Sequence, residues 1–312
     1  MARLATTVIA PSCMVAAVSG HGGEDKGGHG AKIRPGDARS IQAALDAAPP
    51  GTTVTIPAAR YIVPEPLIVR KSDVTIVARR GAVLDCLDPI TRNRAVNALV
   101  VRADGYNNAT MCPEGPNQQF PLKNFVLRGS LEVRNSAKTA ILILGVEGYL
   151  VFGTSVYDAG EHGLYLVCSK GGALKNNYGR GCKDAAFNVG RGADCTIAYN
   201  RAEGNVIGIE VENTIRAVVQ YNTVANNTAG ILVQLAPARS QDFADTKRTQ
   251  DVIVAENIVL DNNIPNFSDD PNLVLALLPR GIGIMVMGSQ RVNVTRNRIE
   301  DHRQAGVHCA VP

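Results

Sequence analysis

From residue 163 onward, short segments of alternating apolar and polar residues recur at a nearly constant interval. Gly163-Leu-Tyr-Leu-Val167, Ala186-Phe-Asn-Val-Gly190, Gly208-Ile-Glu-Val-Glu212, Gly230-Ile-Leu-Val-Gln234, Gly283-Ile-Met-Val-Met287 and Gly306-Val-His-Cys309 start 23, 22, 22, 53 and 23 residues apart. In each, the second and fourth residues are apolar and the one between is free to be polar, which is the period of a strand. The 53-residue interval reads as one further turn of the repeat plus loops. A second register places Asn200, Asn222, Asn257 and Asn297, with Asn177 as a looser match, just after Val-x-Val-like pairs such as Val252/Val254 and Val292/Val294. An asparagine there suits a corner, where its amide can bond the equivalent residue of the next repeat and left-handed backbone angles are tolerated.

Repetition of one strand set every 22 or 23 residues predicts an all-β solenoid: a single-stranded, right-handed parallel β-helix whose turns stack about 4.8 Å apart. An up-and-down antiparallel sandwich is the alternative, but it would need hairpin turns and not this register. Upstream, Ile41, Ala44, Leu45 and Ala48 have helical spacing, with Asp37 or Ser40 as cap and Pro49-Pro50 as stop. Strand-like pieces follow at Thr53–Ile56, Tyr61–Val63, Leu67–Val69 and Val74–Val77. A short helix ahead of the first turn predicts an N-terminal cap over the open end of the solenoid. Residues 33–312 thus form one β-helix, with insertions expected near 105–121, 236–250 and 264–280. The chain ends just after a repeat strand with no capping helix, so a fragment is expected at that side, or an oligomer that covers it.

Composition supports a thin solenoid. Of 312 residues, 45% are hydrophobic, yet only 4% are aromatic and none is Trp, while Gly numbers 30. A net charge of +4 without any Lys/Arg tract argues against nucleic acid and leaves a polyanionic partner open. Residues 1–20 read as a secretory signal: Arg3, an apolar run from Leu4 to Val18, then small residues. The run is too short and interrupted to span a bilayer. Ala10-Pro11-Ser12 is a poor lipobox, so anchoring at Cys13 is not expected, and the protein is expected outside the cell or in a periplasm. Residues 21–32 are a Gly/His linker whose His21 and His29 read as solvated. Six further cysteines, Cys86, Cys112, Cys168, Cys182, Cys195 and Cys309, permit disulfides in several pairings or buried thiols, with Cys309 on an inward position.

The residues resemble the right-handed parallel β-helix repeat family with the pectin-lyase-like fold. Ile33-Arg-Pro-Gly36 through Ser40-Ile-Gln-Ala-Ala-Leu45 to Ile56-Pro57 is similar to its N-terminal cap. Gly208-Ile-Glu-Val-Glu-Asn-Thr214, Asn226-Asn-Thr-Ala-Gly-Ile-Leu-Val233 and Asn262-Asn-Ile-Pro-Asn-Phe267 resemble exported β-helix repeat proteins of uncharacterised function. That resemblance implies a fold and no agreed catalytic set. An epimerase-like Asp-Pro-His-Asp is represented only by Asp269-Asp-Pro-Asn272, and a pectate-lyase-like Arg-x-Pro-x-x-Arg is absent. Glu161-His162-Gly163 is a partial echo of the polygalacturonases.

Candidate chemistry lies on the outward face of the repeated strand. Glu210 and Glu212 are two apart, about 6.6 Å between Cα atoms, a spacing at which like charges tune an acid/base pair. Glu210, Glu212 and Arg191 are the catalytic candidates, and Tyr165, Asn188, Lys183 and His162 the substrate-binding ones. Arg191 or Lys183 would neutralise a sugar carboxylate. A solvated face is the competing reading of the two glutamates. No metal centre is predicted. Calcium at Asp242/Asp245 or Asp269/Asp270 is the only ion the loops suggest, and no cofactor is required by the sequence. Sequons at Asn108, Asn226, Asn266 and Asn293 matter only if the host glycosylates, and Asn226 and Asn293 are placed in or near the stack. Two functions follow: a lyase, epimerase or hydrolase acting on an extracellular acidic polysaccharide, or a non-catalytic surface module that binds glycan or a partner.

Overall fold

The computed structural model of the chain describes residues 31–106, 112, 119–236, 248–269 and 274–310. The expected signal, most of the linker, Asn108, Asp242, Asp245 and Asp270 lie outside the described residues. One coil runs through Ala185–Gly190, Ala193–Ala198 and Arg201–Glu203 before Ile207–Glu212 lies down beside Ala185–Gly190. That pairing is parallel and sets Phe187 against Ile209 and Asn188 against Glu210. Repeating it builds a nine-stranded sheet from Leu67–Val69 to Ala305–Ala310 and a 16-stranded sheet on the other faces. The larger sheet turns a corner because Leu122–Arg134 is one long strand, pairing with both Val146–Phe152 and Ser155–Tyr157. Among the described residues the one antiparallel contact is an isolated bridge, Leu87 to Arg94, so the fold is a right-handed parallel β-helix and not a sandwich.

Strand alternation sends every second side chain inward, and stacking aligns them into apolar columns. Phe187, Ile209, Ile231 and Ile284 form one, and Val189, Val211 and Val233 another, all buried. The glycines that open the repeats answer a close approach. A Cβ on Gly230 would lie 2.3 Å from the Gly283 carbonyl oxygen, and one on Gly208 would lie 2.8 Å from that of Gly230.

The asparagine register is a hydrogen-bonded ladder. The backbone N–H of Asn177 donates to Asn200 Oδ1 (2.9 Å), that of Asn200 to Asn222 (2.9 Å), that of Asn222 to Asn257 (3.0 Å) and that of Asn257 to Asn297 (2.9 Å). Each carboxamide also donates to a carbonyl of the preceding coil, as Asn200 does to Leu174 at 3.0 Å. A second ladder, not anticipated, runs five residues later. Cys182 N–H donates to Asn205 Oδ1, Asn205 to Asn227 and Asn227 to Asn262, and the Asn262 amide meets His302 Nε2 at 3.1 Å.

The helix Ala38–Ala47 is capped by Asp37, whose Oδ1 accepts from the N–H groups of Arg39 and Ser40. It buries Ile41, Ala44 and Leu45 against the first coils, and Gln42 bonds both backbone groups of Ile68.

Two expectations are corrected. Ala229–Gln234 pairs directly with Ile282–Met287, so the 53-residue interval is one coil lengthened by excursions at 235–249 and 261–281, with no extra turn. Cys309 is exposed, because no further strand covers Ala305–Ala310 among the described residues. Asn226 and Asn293 do lie in the stack, at a corner (φ 56°) and an outward strand position, and both are exposed on its outer surface. Among the described residues Cys112 and Cys168 form a disulfide, and Cys86, Cys182 and Cys195 are buried thiols.

Candidate functional site

Stacking aligns outward residues as strictly as inward ones. Tyr165, Asn188, Glu210, Leu232 and Met285 follow one another on successive coils of the nine-stranded sheet, with Val167, Gly190, Glu212, Gln234 and Met287 beside them. Leu232 and Met285 are apolar, so the polar stretch of this face spans only a few coils.

At its centre Glu210 is 5% exposed and Asn188 1%. The Asn188 carboxamide nitrogen stands 2.6 Å from Glu210 Oε2 and 3.0 Å from His162 Nε2, and the Gln234 amide donates to Glu210 Oε1 at 2.5 Å. His162 Nε2 is also 3.2 Å from Asp184 Oδ2 and 4.0 Å from Glu210 Oε2. Burial pushes Glu210 well above the usual carboxylate range, with the charges of Asp184 and Glu212 adding to it. The two glutamates are therefore not a solvated pair, because Glu210 is sealed and only Glu212 is partly open.

Tyr165 stacks on the His162 ring, with centroids 4.4 Å apart and planes at 14°. It extends over Gly190 toward Glu212. A Cβ at Gly190 would lie 3.0 Å from Tyr165 Cε2 and 3.4 Å from Glu212 Oε2. Burial raises its phenol well above the ordinary value, with Glu212 contributing and Arg191 opposing. Arg191, at a left-handed corner (φ 50°), thus adjoins the Tyr165–Glu212 edge. Lys183 is drawn aside into an ion pair with Asp269 of the 261–281 excursion.

Two segments that leave the stack flank the polar cluster. On the preceding coils Tyr106 packs with Leu144, Val167 and Cys168, and the Cys112–Cys168 disulfide ties that segment down. On the following coils Phe267, Leu275 and Leu278 pack with Leu232 and Ile207. The Asn266 amide closes that excursion on itself through the carbonyls of Leu275 (2.8 Å) and Leu278 (3.2 Å).

Of the residues expected from the sequence, the structure gathers Glu210, Asn188, His162 and Tyr165, sets Glu212 and Arg191 at their edge, and ties Lys183 to the excursion. Asp184 and Gln234 belong to the same cluster and were missed as site residues. Gln234 was visible in the outward column two positions from Leu232. Asp184 lies in the turn before a strand, one coil on from Glu161, whose carbonyl accepts its N–H, and following the turn column from Glu161 would have found it.

Comparison with known proteins bears on fold. Residues 129–241 match the family model described as "Right handed beta helix region". No curated protein matches the sequence. Pectate lyase Pel9A superposes with a TM-score of 0.52 at 13% identity, over 87% of this chain and 70% of that one. PfbA, a surface adhesin of Streptococcus pneumoniae, gives 0.50 at 13% identity over 86% and 78%. The A-module of mannuronan C-5 epimerase AlgE6 from Azotobacter vinelandii gives 0.45 at 14% identity over 89% and 95%. With the ladders, the parallel register and the matched repeat region in place, this chain has the fold of the right-handed parallel β-helix proteins.

Proposed function

We propose that the chain is an extracellular enzyme acting on an acidic polysaccharide, with its reacting groups at Glu210, Asp184 and His162. The observation that carries this reading is the meeting of two carboxylates and an imidazole, their donor atoms all within 4.8 Å of one another, on the outer face of a solenoid. Packing of the stack calls for no such group there. A buried carboxylate costs free energy unless it is paired, so its presence points to chemistry and not to support. Proton removal beside a carbonyl-bearing carbon, or proton delivery to a glycosidic oxygen, needs a group of this kind within hydrogen-bond reach of the sugar.

Tyr165 offers a ring and a hydroxyl on one side of the cluster, and Arg191 supplies positive charge near a bound uronate. The excursion carrying Phe267 and the segment carrying Tyr106 would bound the sugar chain at either end of the polar stretch. Likeness of fold to Pel9A agrees with this reading but does not carry it.

The test is to incubate purified protein with a panel of uronic-acid polysaccharides, following unsaturated products, reducing ends and epimerisation, beside Glu210→Gln and Asp184→Asn. Turnover that drops at least a hundredfold in both variants is expected. Turnover unchanged in either would remove the site, and none from the folded wild type would leave a glycan-binding module.

A further inference from the structure

The arrangement around His162 Nε2 is inconsistent with simple hydrogen bonding. Asn188 Nδ2, a donor, lies 3.0 Å from this nitrogen, and Asp184 Oδ2, an acceptor, lies 3.2 Å from it. A protonated Nε2 satisfies Asp184 and faces the amide donor. An unprotonated one accepts from Asn188 and points its lone pair at a carboxylate. Asn188 is 1% exposed, and its Oδ1 accepts no hydrogen bond among the described residues. A carboxamide has nearly the same outline either way round. Turned over, it would aim Oδ1 at the two atoms its nitrogen now faces, His162 Nε2 and Glu210 Oε2.

With Asp184 Oδ2, those atoms then form a set of four donors, one nitrogen and three oxygens, two of them carboxylate oxygens. We propose that His162 Nε2, Asp184 Oδ2, Glu210 Oε2 and the Asn188 carboxamide oxygen hold a divalent ion of the zinc or manganese kind. An ion about 2.1 Å from each donor separates tetrahedral ligands by roughly 3.4 Å, which is close to the 3.2 Å of His162–Asp184 and the 4.0 Å of His162–Glu210. Asn188, 2.6 Å from Glu210 Oε2 and 3.0 Å from His162 Nε2, would draw back to make room for it. The imidazole favours a first-row transition ion over calcium, whose sites are built from oxygen alone. Gln234, donating to Glu210 Oε1, leaves Oε2 turned to the ion and fixes the carboxylate, as outer partners of metal ligands do.

The ligands come from three adjacent coils. His162 stands before the strand Leu164–Val167, Asp184 and Asn188 belong to the coil of Ala185–Gly190, and Glu210 to that of Ile207–Glu212. The ion would therefore cross-link the stack along its axis, and folding would preform the site.

This inference rests on the same cluster as the proposed enzyme, but its test reads binding. Untagged full-length protein, stripped with chelator, is titrated with Zn²⁺ by calorimetry and with Mn²⁺ by electron paramagnetic resonance, with Ca²⁺ as comparison. One Zn²⁺ per chain in the micromolar range or tighter is expected, and Ca²⁺ at least tenfold weaker. Saturating Zn²⁺ should raise Tm by mass action. His162→Ala and Asp184→Asn, checked for folding by circular dichroism, should each lose this binding and this shift, so a site elsewhere in the chain is separated from the one proposed. No saturable Zn²⁺ or Mn²⁺ binding by folded wild type, or binding unaltered in His162→Ala, would overturn the metal site. Metal binding without turnover would instead remove the enzyme and keep the ion, and chelator-resistant turnover by metal-free protein would do the reverse.

Discussion

Asn188 and Glu210, neighbours on adjacent coils, meet at 2.6 Å through the Asn188 carboxamide, in a place where neither residue is more than 5% exposed. Glu210→Gln keeps the shape of that contact and deletes the carboxylate; its oxygen accepts from Asn188 and its new NH2 group donates to a turned Gln234 amide. Burial of an acid without a cation costs stability, so the metal-free variant should be more stable than wild type by about 1 kcal/mol, or roughly 2 to 4 °C in Tm. Zn²⁺ should reverse the order by stabilising wild type alone. Thermal scans of both proteins with and without the ion check this, and a metal-free variant less stable than wild type would contradict it.

The asparagine ladder makes a sharper demand on stability. Removing the Asn200 side chain orphans the buried Asn177 N–H and Leu174 carbonyl and takes one donor from Asn222 Oδ1. With each buried unpaired group costing about 1–3 kcal/mol, Asn200→Ala should lose roughly 3 kcal/mol. Urea denaturation is the measurement, and a loss within experimental error would mean that the corner repacks freely.

Asp85 ties the first coils together. It is buried and accepts from Asn135 (3.0 Å), the Leu87 N–H (3.0 Å) and Arg60 (2.7 Å). Burial raises its carboxyl, but these three bonds outweigh it, and the net position is below the usual range. A depressed folded-state value means stability present above the unfolded value and lost as pH falls through the folded one. The Tm gap between wild type and Asp85→Asn should therefore be widest near neutrality and should close below about pH 4. A gap independent of pH would show that the charge is not what Asp85 contributes.

Thiol chemistry should separate the free cysteines. Burial pushes Cys86, Cys182 and Cys195 up to about 12, so little thiolate forms at pH 8, whereas Cys309 is exposed. Under native conditions a maleimide should label Cys309 rapidly and these three only after unfolding, as read by peptide mass mapping. Labelling of Cys182 at the Cys309 rate would contradict the burial.

Much of this was legible in the chain. Side-chain alternation and a fixed repeat leave a parallel stack as the simplest closed arrangement, and the corner asparagines follow from it. The second ladder was legible too, since Asn205, Asn227 and Asn262 each lie five residues past a corner asparagine, with Cys182 and His302 completing the series. It was missed because no flanking valine pair marks it. Cys309 was misplaced because parity gives a side and not a neighbour to cover it. Glu210 was found from its place in the outward column. Its burial was not, because that depends on flanking groups, His162 and Gln234, whose approach only the folded coil shows. Asp184 lies in a turn outside the strand alternation that was followed, so the strand period did not single it out.

Asn200 and Asn222 are separated by 22 residues, Asn222 and Asn257 by 35, Asn257 and Asn297 by 40, yet the hydrogen bonds between them differ by no more than 0.1 Å. Contour length between corners is thus decoupled from distance in space. A lineage carrying this scaffold can rewrite, lengthen or exchange the excursions that flank the polar face while every core position keeps its address. Such variation would retune what the face accepts without putting the ladder at risk, and sequence comparison that penalises gaps would underestimate how closely two such chains are related.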